Sequence, residues 1–293
     1  MPPTLVGTTG WSHADWVGPF YPVHMREKPE AWLGHYGTRF RTVELASSFD
    51  AFPDEALVAS WARAGVALQE RGGAFEFSLK LPRAITHDAL PAGDVEAARA
   101  WTGRFDREVL DPLAGEGLLG VVLAQLPPSF QASAANARAL AEALAPLAER
   151  RLAVELRHAS WARGGCLIPE LDPVFAGGDV CLVEADLPGR LDVRPALAAR
   201  HAYLRFHGRR RDVWAAPEPR DGARYDYLYP REELAPWAER VQEHRRAGRE
   251  VRAYFNNAPR AQAVANALDL IEMLGAPVPV ARPRLTAQQR LPL

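Results

Sequence analysis

The fold this sequence predicts is a (β/α)8 barrel of the TIM type, and three observations predict it. Eight short apolar runs recur along the chain, with amphipathic stretches between most of them. None of the eight leads into a GxGxxG turn or a P-loop, the signatures an open nucleotide-binding sheet would carry. The length of 293 residues fits one barrel of about 250 residues with modest insertions.

The strand runs are Leu5 to Thr8, Thr42 to Leu45, Phe75 to Leu81, Gly120 to Leu126, Leu152 to Leu156, Val180 to Val183, Ala202 to Phe206 and Val251 to Phe255. Each is short and apolar, and most end in Gly, Pro or a polar cluster. Helical periodicity covers Glu30 to Tyr36, Glu55 to Ala64, Val95 to Leu110, Ala134 to Leu147, Glu232 to Ala247 and Ala261 to Leu274. Pro53-Asp54, Ser133 and Pro230 open three of these in the manner of helix N-termini. Pro169, Pro173, Gly177, Gly178, Pro188 and Gly189 interrupt the connections around the fifth and sixth strands. One or two outer helices there are expected to be short or missing. A single barrel domain is expected over residues 1–275, followed by a Pro- and Arg-rich tail over 276–293.

Composition excludes more than it assigns. The chain is 48% hydrophobic and 24% charged with a net charge of −1, so affinity for nucleic acid or an anionic membrane must be local. The start MPPTLVGTTGW carries no basic segment followed by a long apolar one, and no run approaches ~18 apolar residues. Cys166 and Cys181 make neither a CxxC nor a zinc spacing and read as reduced structural thiols. A cytoplasmic protein with no cofactor and no metal is expected. Only Lys28 and Lys80 are lysine among the 35 basic residues. A lysine retained in so arginine-rich a chain is a candidate for chemistry that needs a titratable amine.

The strand ends carry the functional signal. Glu44 closes the second strand, Lys80 the third and Gln125 the fourth. Glu155 and Arg157 end the fifth, Arg205 and His207 the seventh, and Asn256 the eighth. In a barrel these ends converge on the face that bears the active site. Alternation places Glu155 with Arg157, and Arg205 with His207, on shared faces. Structural alternatives stand beside each: an ion pair of Glu155 with Arg157, Glu44 neutralising Lys80, and a hydrogen-bonded core histidine at 207. The partner expected for Lys80 is Glu44 or Glu155, because an isolated buried ammonium would lose its proton.

Loops add aromatic and basic character. Trp11, Trp16, Phe49 and Trp161 follow strands and either stack on a ligand or pack their own loops. The long connection after the seventh strand holds Arg209, Arg210, Arg211, Trp214, Arg220 and Arg224, then Tyr225, Tyr227 and Tyr229. It is either an anion site, as barrels often have near strands seven and eight, or a solvated basic run.

Read together, GTTGWSHADWVGPFYP at 7–22, TVELASSF at 42–49, FSLKLPRAITH at 77–87, LAQLPPSF at 123–130, AVELRHASW at 153–161, YLRFHG at 203–208 and YFNN at 254–257 closely resemble the YecE-like barrels, domain of unknown function 72. The resemblance runs from the first strand to the last helix. It implies a TIM-type barrel whose polar strand ends form a pocket, in a family without an established activity. Glu44, Lys80, His87, Gln125, Glu155, Arg157, Arg205, His207, Asn256 and Asn257 all match. The second-strand motif departs: where the family reads like NSTFYR, this chain has ASSFDA, with Ala46, Asp50 and Ala51. Ala258 stands where an aspartate is usual, and EADLP keeps Asp186 but not the following threonine.

The expected function is acid–base or hydrolytic chemistry on a small anionic or phosphorylated ligand. Lys80, Glu44, Glu155 and His207 are the catalytic candidates. Trp11, His87, Gln125, Arg157, Arg205, Asn256 and Asn257 are the binding candidates. A nucleotide- or nucleic-acid-binding module is the alternative, by analogy of fold to barrel endonucleases. His87, His158 and His207 come from separate loops with no HxH or HxxE pair, which speaks against a metal site.

Overall fold

A computed structural model describes residues 2–193, 198–214 and 222–275. Eight strands form one sheet: β1 (Thr4–Thr8), β2 (Thr42–Leu45), β3 (Glu76–Lys80), β4 (Leu119–Gln125), β5 (Leu152–Glu155), β6 (Val180–Asp186), β7 (His201–Phe206) and β8 (Glu250–Phe255). Their order is β1-β8-β7-β6-β5-β4-β3-β2, so from β2 onward each strand neighbours its successor in sequence and the last returns to the first. A parallel bridge between Thr9 and Glu44 joins the β1 and β2 ends of that series. The fold is a (β/α)8 barrel of TIM type. The expected tail at 276–293 lies outside the described residues, as does Arg220.

The main helices are α1 (Trp32–Tyr36), α2 (Glu55–Gly72), α3 (Val95–Phe105), α4 (Ala134–Leu144), α5 (Asp172–Ala176), α6 (Arg231–Arg246) and α7 (Gln262–Met273), with further short helical segments between them. The N-terminal signals act as their chemistry requires. Asp54 accepts from the Leu57 amide at 2.8 Å and Ser133 from the Asn136 amide at 3.0 Å, satisfying first-turn donors that the helix cannot. As expected, the connections near β5 and β6 are poor in helix. After β5 comes a two-stranded hairpin (Ala162–Arg163 with Cys166–Leu167) and then α5, only five residues long. Between β6 and β7 the described residues hold no helix.

Two compact units make up the chain: Met1–Glu44, Ala185–Pro188 and Leu204–Leu293, and Leu45–Glu184 with Gly189–Tyr203. In the first, β1 pairs in parallel with β8, Thr8 opposite Phe255. Phe206 stacks on Phe255 with centroids 4.3 Å apart and meets Trp237 edge-on at 5.2 Å, seating α6 on the sheet. In the second, β4 pairs with β5, Gln125 opposite Glu155, and β3 pairs with β4, Lys80 opposite Leu123. The β3–β4 register shifts between Phe77 and Leu79, where the Val121 amide donates to the Ser78 hydroxyl at 3.1 Å. Among the described residues, no helix is long and apolar enough to cross a membrane.

Candidate functional site

In the second unit the expected residues Lys80, His87, Glu155 and Arg157 gather around the ends of β3 and β5. The Ser48 hydroxyl donates to the Lys80 carbonyl at 2.6 Å, which ties the short turn Ser47–Asp50 to the end of β3. That turn carries Phe49, and the Lys80 ammonium lies 3.5 Å above the centre of its ring. A cation this close to an aromatic face is stabilised by the ring quadrupole, the more so where water is excluded. Lys80 is buried.

His87 meets the other side of the arrangement. Its ring stands edge-on to Phe49 at 4.7 Å, and its Nδ1 lies 2.8 Å from the Thr86 hydroxyl. Burial, then the charges of Lys80 and Arg83 and more weakly Arg157, push its pKa down to about 4, with Asp88 opposing them. The imidazole is therefore neutral at physiological pH. Glu155, buried at the end of β5, takes Arg157 as its ion-pair partner, the pairing that strand alternation predicts. Gln125, half-buried, faces Glu155 in register from the end of β4.

In the first unit the structure brings together Glu44, Arg205, His207 and Asn256. Glu44 is fully buried and its Oε1 accepts from Arg205 Nη2 at 2.7 Å and from the Thr9 hydroxyl at 2.8 Å. Thr9, inside the GTTGW run, is a partner that the strand-end argument missed. Gly10 follows it at φ +72 and donates its amide to the Glu44 carbonyl at 2.8 Å, a backbone conformation that an L side chain resists. The Asn256 amide lies 3.0 Å from His207 Nδ1. An amide N–H pointed at that nitrogen makes it the acceptor and leaves the ring proton on Nε2. Asn257 is fully buried and donates to the Tyr227 carbonyl at 2.7 Å and to Asn266 Oδ1 at 2.8 Å, pinning the segment ahead of α6.

The mouth aromatics divide. Trp16 and Trp161 have no exposed surface and give their indole N–H groups to the carbonyls of Ala258, at 2.7 Å, and Phe130, at 2.8 Å. Loop packing, not ligand stacking, is their role. Trp11 is half-exposed and its carbonyl accepts from the Tyr21 hydroxyl at 2.6 Å. Among the described arginines of the connection after β7, Arg209 turns inward and Arg211 is exposed. Arg209 makes a bidentate contact with buried Asp186 and reaches Glu233 at 3.2 Å. Arg210 pairs with Asp212 at 2.8 Å, and the Arg224 guanidinium lies 5.6 Å from the Trp214 ring. His158 caps its own turn, Nδ1 accepting from the Ser160 amide at 3.1 Å. Among the described residues no group of three or more His, Cys, Asp or Glu is placed to hold a metal ion.

Comparison with known proteins adds the following. Residues 5–290 match the family model described as protein of unknown function DUF72. The chain is 26% identical over 279 residues to UPF0759 protein YunF of Bacillus subtilis (strain 168), covering 92% of this chain and 94% of that one. A crystal structure of a DUF72 family protein from Thermotoga maritima MSB8 superposes with a TM-score of 0.76 at 33% identity, covering 93% of this chain and 99% of its own. Another, from Enterococcus faecalis V583, reaches a TM-score of 0.73 at 21% identity, covering 97% and 100%, a likeness of fold.

Proposed function

The chain belongs to the DUF72 family, and on that premise we propose that it is an enzyme performing acid–base or hydrolytic chemistry on a small, phosphorylated ligand. One observation carries the reading: the cations Lys80, Arg83 and Arg157 all act on the half-buried His87, and Arg157 pairs with the buried carboxylate of Glu155. Burial is the largest cause of the lowered pKa of His87 and the cations add to it, so the cluster carries a positive potential of the kind that attracts a phosphate. Arg157, oriented by Glu155, holds the anion. Lys80, seated on Phe49, supplies or accepts the proton, and His87 offers a neutral ring to hydrogen-bond the ligand. In the first unit His207 is the proton-carrying candidate and Arg205, balanced by Glu44, is the cation. The nucleic-acid alternative is disfavoured because Arg209 and Arg210, which would meet phosphates, already hold Asp186, Glu233 and Asp212.

The test combines binding with turnover. Inorganic phosphate and p-nitrophenyl phosphate are titrated calorimetrically into the wild type, Lys80→Arg and Arg157→Met, and p-nitrophenolate release is followed. Binding that weakens at least about tenfold in Arg157→Met, with turnover lost in Lys80→Arg at intact fold, supports the proposal. No heat up to millimolar ligand, or turnover that survives Lys80→Arg, overturns it.

A further inference from the structure

His201 opens β7 inside the second unit and is buried. Its Nδ1 lies 3.1 Å from Asp179 Oδ1, just ahead of β6, and its Nε2 lies 3.1 Å from the carbonyl oxygen of Leu152, at the start of β5. The ring thus ties together the N-terminal ends of three neighbouring strands. Backbone donors close the same circuit. The Leu152 amide donates to the Asp179 carbonyl at 3.0 Å, and the Arg200 amide donates to Asp179 Oδ1 at 2.8 Å. None of these residues is among those assigned above to the chemistry at the strands' C-terminal ends.

The two acceptors decide the state of the ring. A backbone carbonyl and a carboxylate offer lone pairs and no proton, so each bond needs an N–H from the imidazole. A neutral ring carries one N–H and satisfies one of them; the imidazolium satisfies both. Asp179 balances that charge. Burial works against its ionisation, but the Arg200 amide, His201 and the Arg200 guanidinium, 3.5 Å away, outweigh burial and hold the carboxyl below its ordinary range. A buried imidazolium alone would shed its proton, whereas one bonded to a carboxylate and a carbonyl keeps it. The elements packed here also bring Glu149, Arg150 and Arg151 in the turn ahead of β5, and Cys181 on β6. Glu149 is exposed, Cys181 is buried, and Arg150 is taken by Asp106 and Asp111.

We propose that His201 is a protonated latch: as the imidazolium it locks the N-terminal ends of β5, β6 and β7 together, and on losing its proton it lets one of its two bonds go. The folded chain then holds a proton that the unfolded chain releases at about pH 6.5. The latch therefore contributes in full below that pH and fails on the alkaline side, as the ring of the folded chain deprotonates.

The experiment uses the full chain labelled with ¹⁵N. Long-range ¹H–¹⁵N spectra of the imidazole nitrogens, assigned with His201→Gln, report the ring at about pH 7.5, where an ordinary histidine is about nine-tenths neutral. His201 is expected to show two N–H nitrogens there, and Asp179→Asn is expected to return it to the neutral form. Raising the pH until the wild-type ring deprotonates should lower the amide-exchange protection of Leu152 and Arg200 about tenfold, the worth of one charge-assisted bond. The Leu81 amide, bonded to the Leu123 carbonyl at the other end of the strands, should keep its protection. A neutral ring in the wild type at that pH would overturn the proposal, and this spectrum decides even where Asp179→Asn does not fold. A ring still protonated in folded Asp179→Asn, or one that deprotonates with no loss of protection at Leu152 and Arg200, would overturn it as well.

Discussion

Replacing Lys80 by methionine should raise the pKa of His87, and the structure sets the size of the effect. Lys80 Nζ lies 3.5 Å from the centre of the Phe49 ring and His87 lies 4.7 Å from it, so the two charges sit no more than about 8 Å apart. At that separation their repulsion is about 0.5 kcal/mol in a water-like dielectric and about 2 kcal/mol at the effective value of a partly buried site. Removing it should lift the His87 midpoint by about 0.4 to 1.5 pH units from its starting value of about 4. It should stay below the ordinary histidine range, because burial is the largest cause of the depression and survives the substitution. Lys80→Arg keeps the charge and should leave the midpoint where it was. The assay is a ¹H–¹³C NMR titration of the imidazole carbons, with His87→Gln to assign the signal. Phosphate bound beside Lys80 and Arg157 should act in the same direction as Lys80→Met. A midpoint that does not move in Lys80→Met would refute the electrostatic reading of this cluster and remove the main support for an anion there.

Stability should follow the same group. Below about pH 6.5 the unfolded chain takes up a proton at His87 that the folded chain refuses, so this contribution to stability is complete above pH 6.5 and falls away between pH 6.5 and 4; urea melts of wild type against His87→Gln measure it. Gly7→Ala should cost about 1–3 kcal/mol or more in the same melts, since its methyl would collide with the backbone carbonyl of Thr42 and stand 3.0 Å from the Tyr36 hydroxyl. Ala261→Gly should stabilise by up to about 1 kcal/mol, because Ala261 is held at φ 61, where an L side chain is strained. Destabilisation in that variant would mean that packing of the buried methyl outweighs the strain.

Periodicity made the barrel and much of the candidate site readable, and its limits are physical. All eight strands lie where apolar runs place them, yet β6 continues through Glu184 to Asp186, where polar residues end the apolar pattern. Helix α2 runs to Gly72, past Gly65, because a close-packed helix tolerates an interior glycine that local propensity disfavours. The pairing of Glu155 with Arg157 was among the readings that alternation offered, since residues two apart in extended chain share a face. The pairing of Glu44 with Arg205 spans 161 positions, and no local pattern reports a contact of that kind. The choice between ligand stacking and loop packing for the buried tryptophans stayed open for a related reason. Loop position alone does not say whether an indole N–H has found a carbonyl, as those of Trp16 and Trp161 have.

The departures from the family-like second-strand motif lead to the last prediction. Asp50 and Ala51 are exposed and lie in or beside the turn that carries Phe49, so restoring the tyrosine and arginine seen in that motif should disturb little of the packing. Stability of Asp50→Tyr with Ala51→Arg should stay within about 0.5 kcal/mol of the wild type, the usual range for surface changes. The charge of this turn, by contrast, rises by two beside Lys80 and His87, which Phe49 contacts directly. Exposed charges contribute about 0.2–1 kcal/mol each, so phosphate should bind up to roughly thirtyfold tighter in low salt and lose most of that gain at high salt. Position 258 supplies the contrast. Its carbonyl holds Trp16, a main-chain contact indifferent to the side chain, so Ala258→Asp should keep the fold and, unlike the turn variant, add a negative charge. If the turn variant leaves phosphate affinity unchanged at low salt, the turn does not face the anion, and the reading of Lys80 and Arg157 as its receptors loses the neighbourhood it depends on.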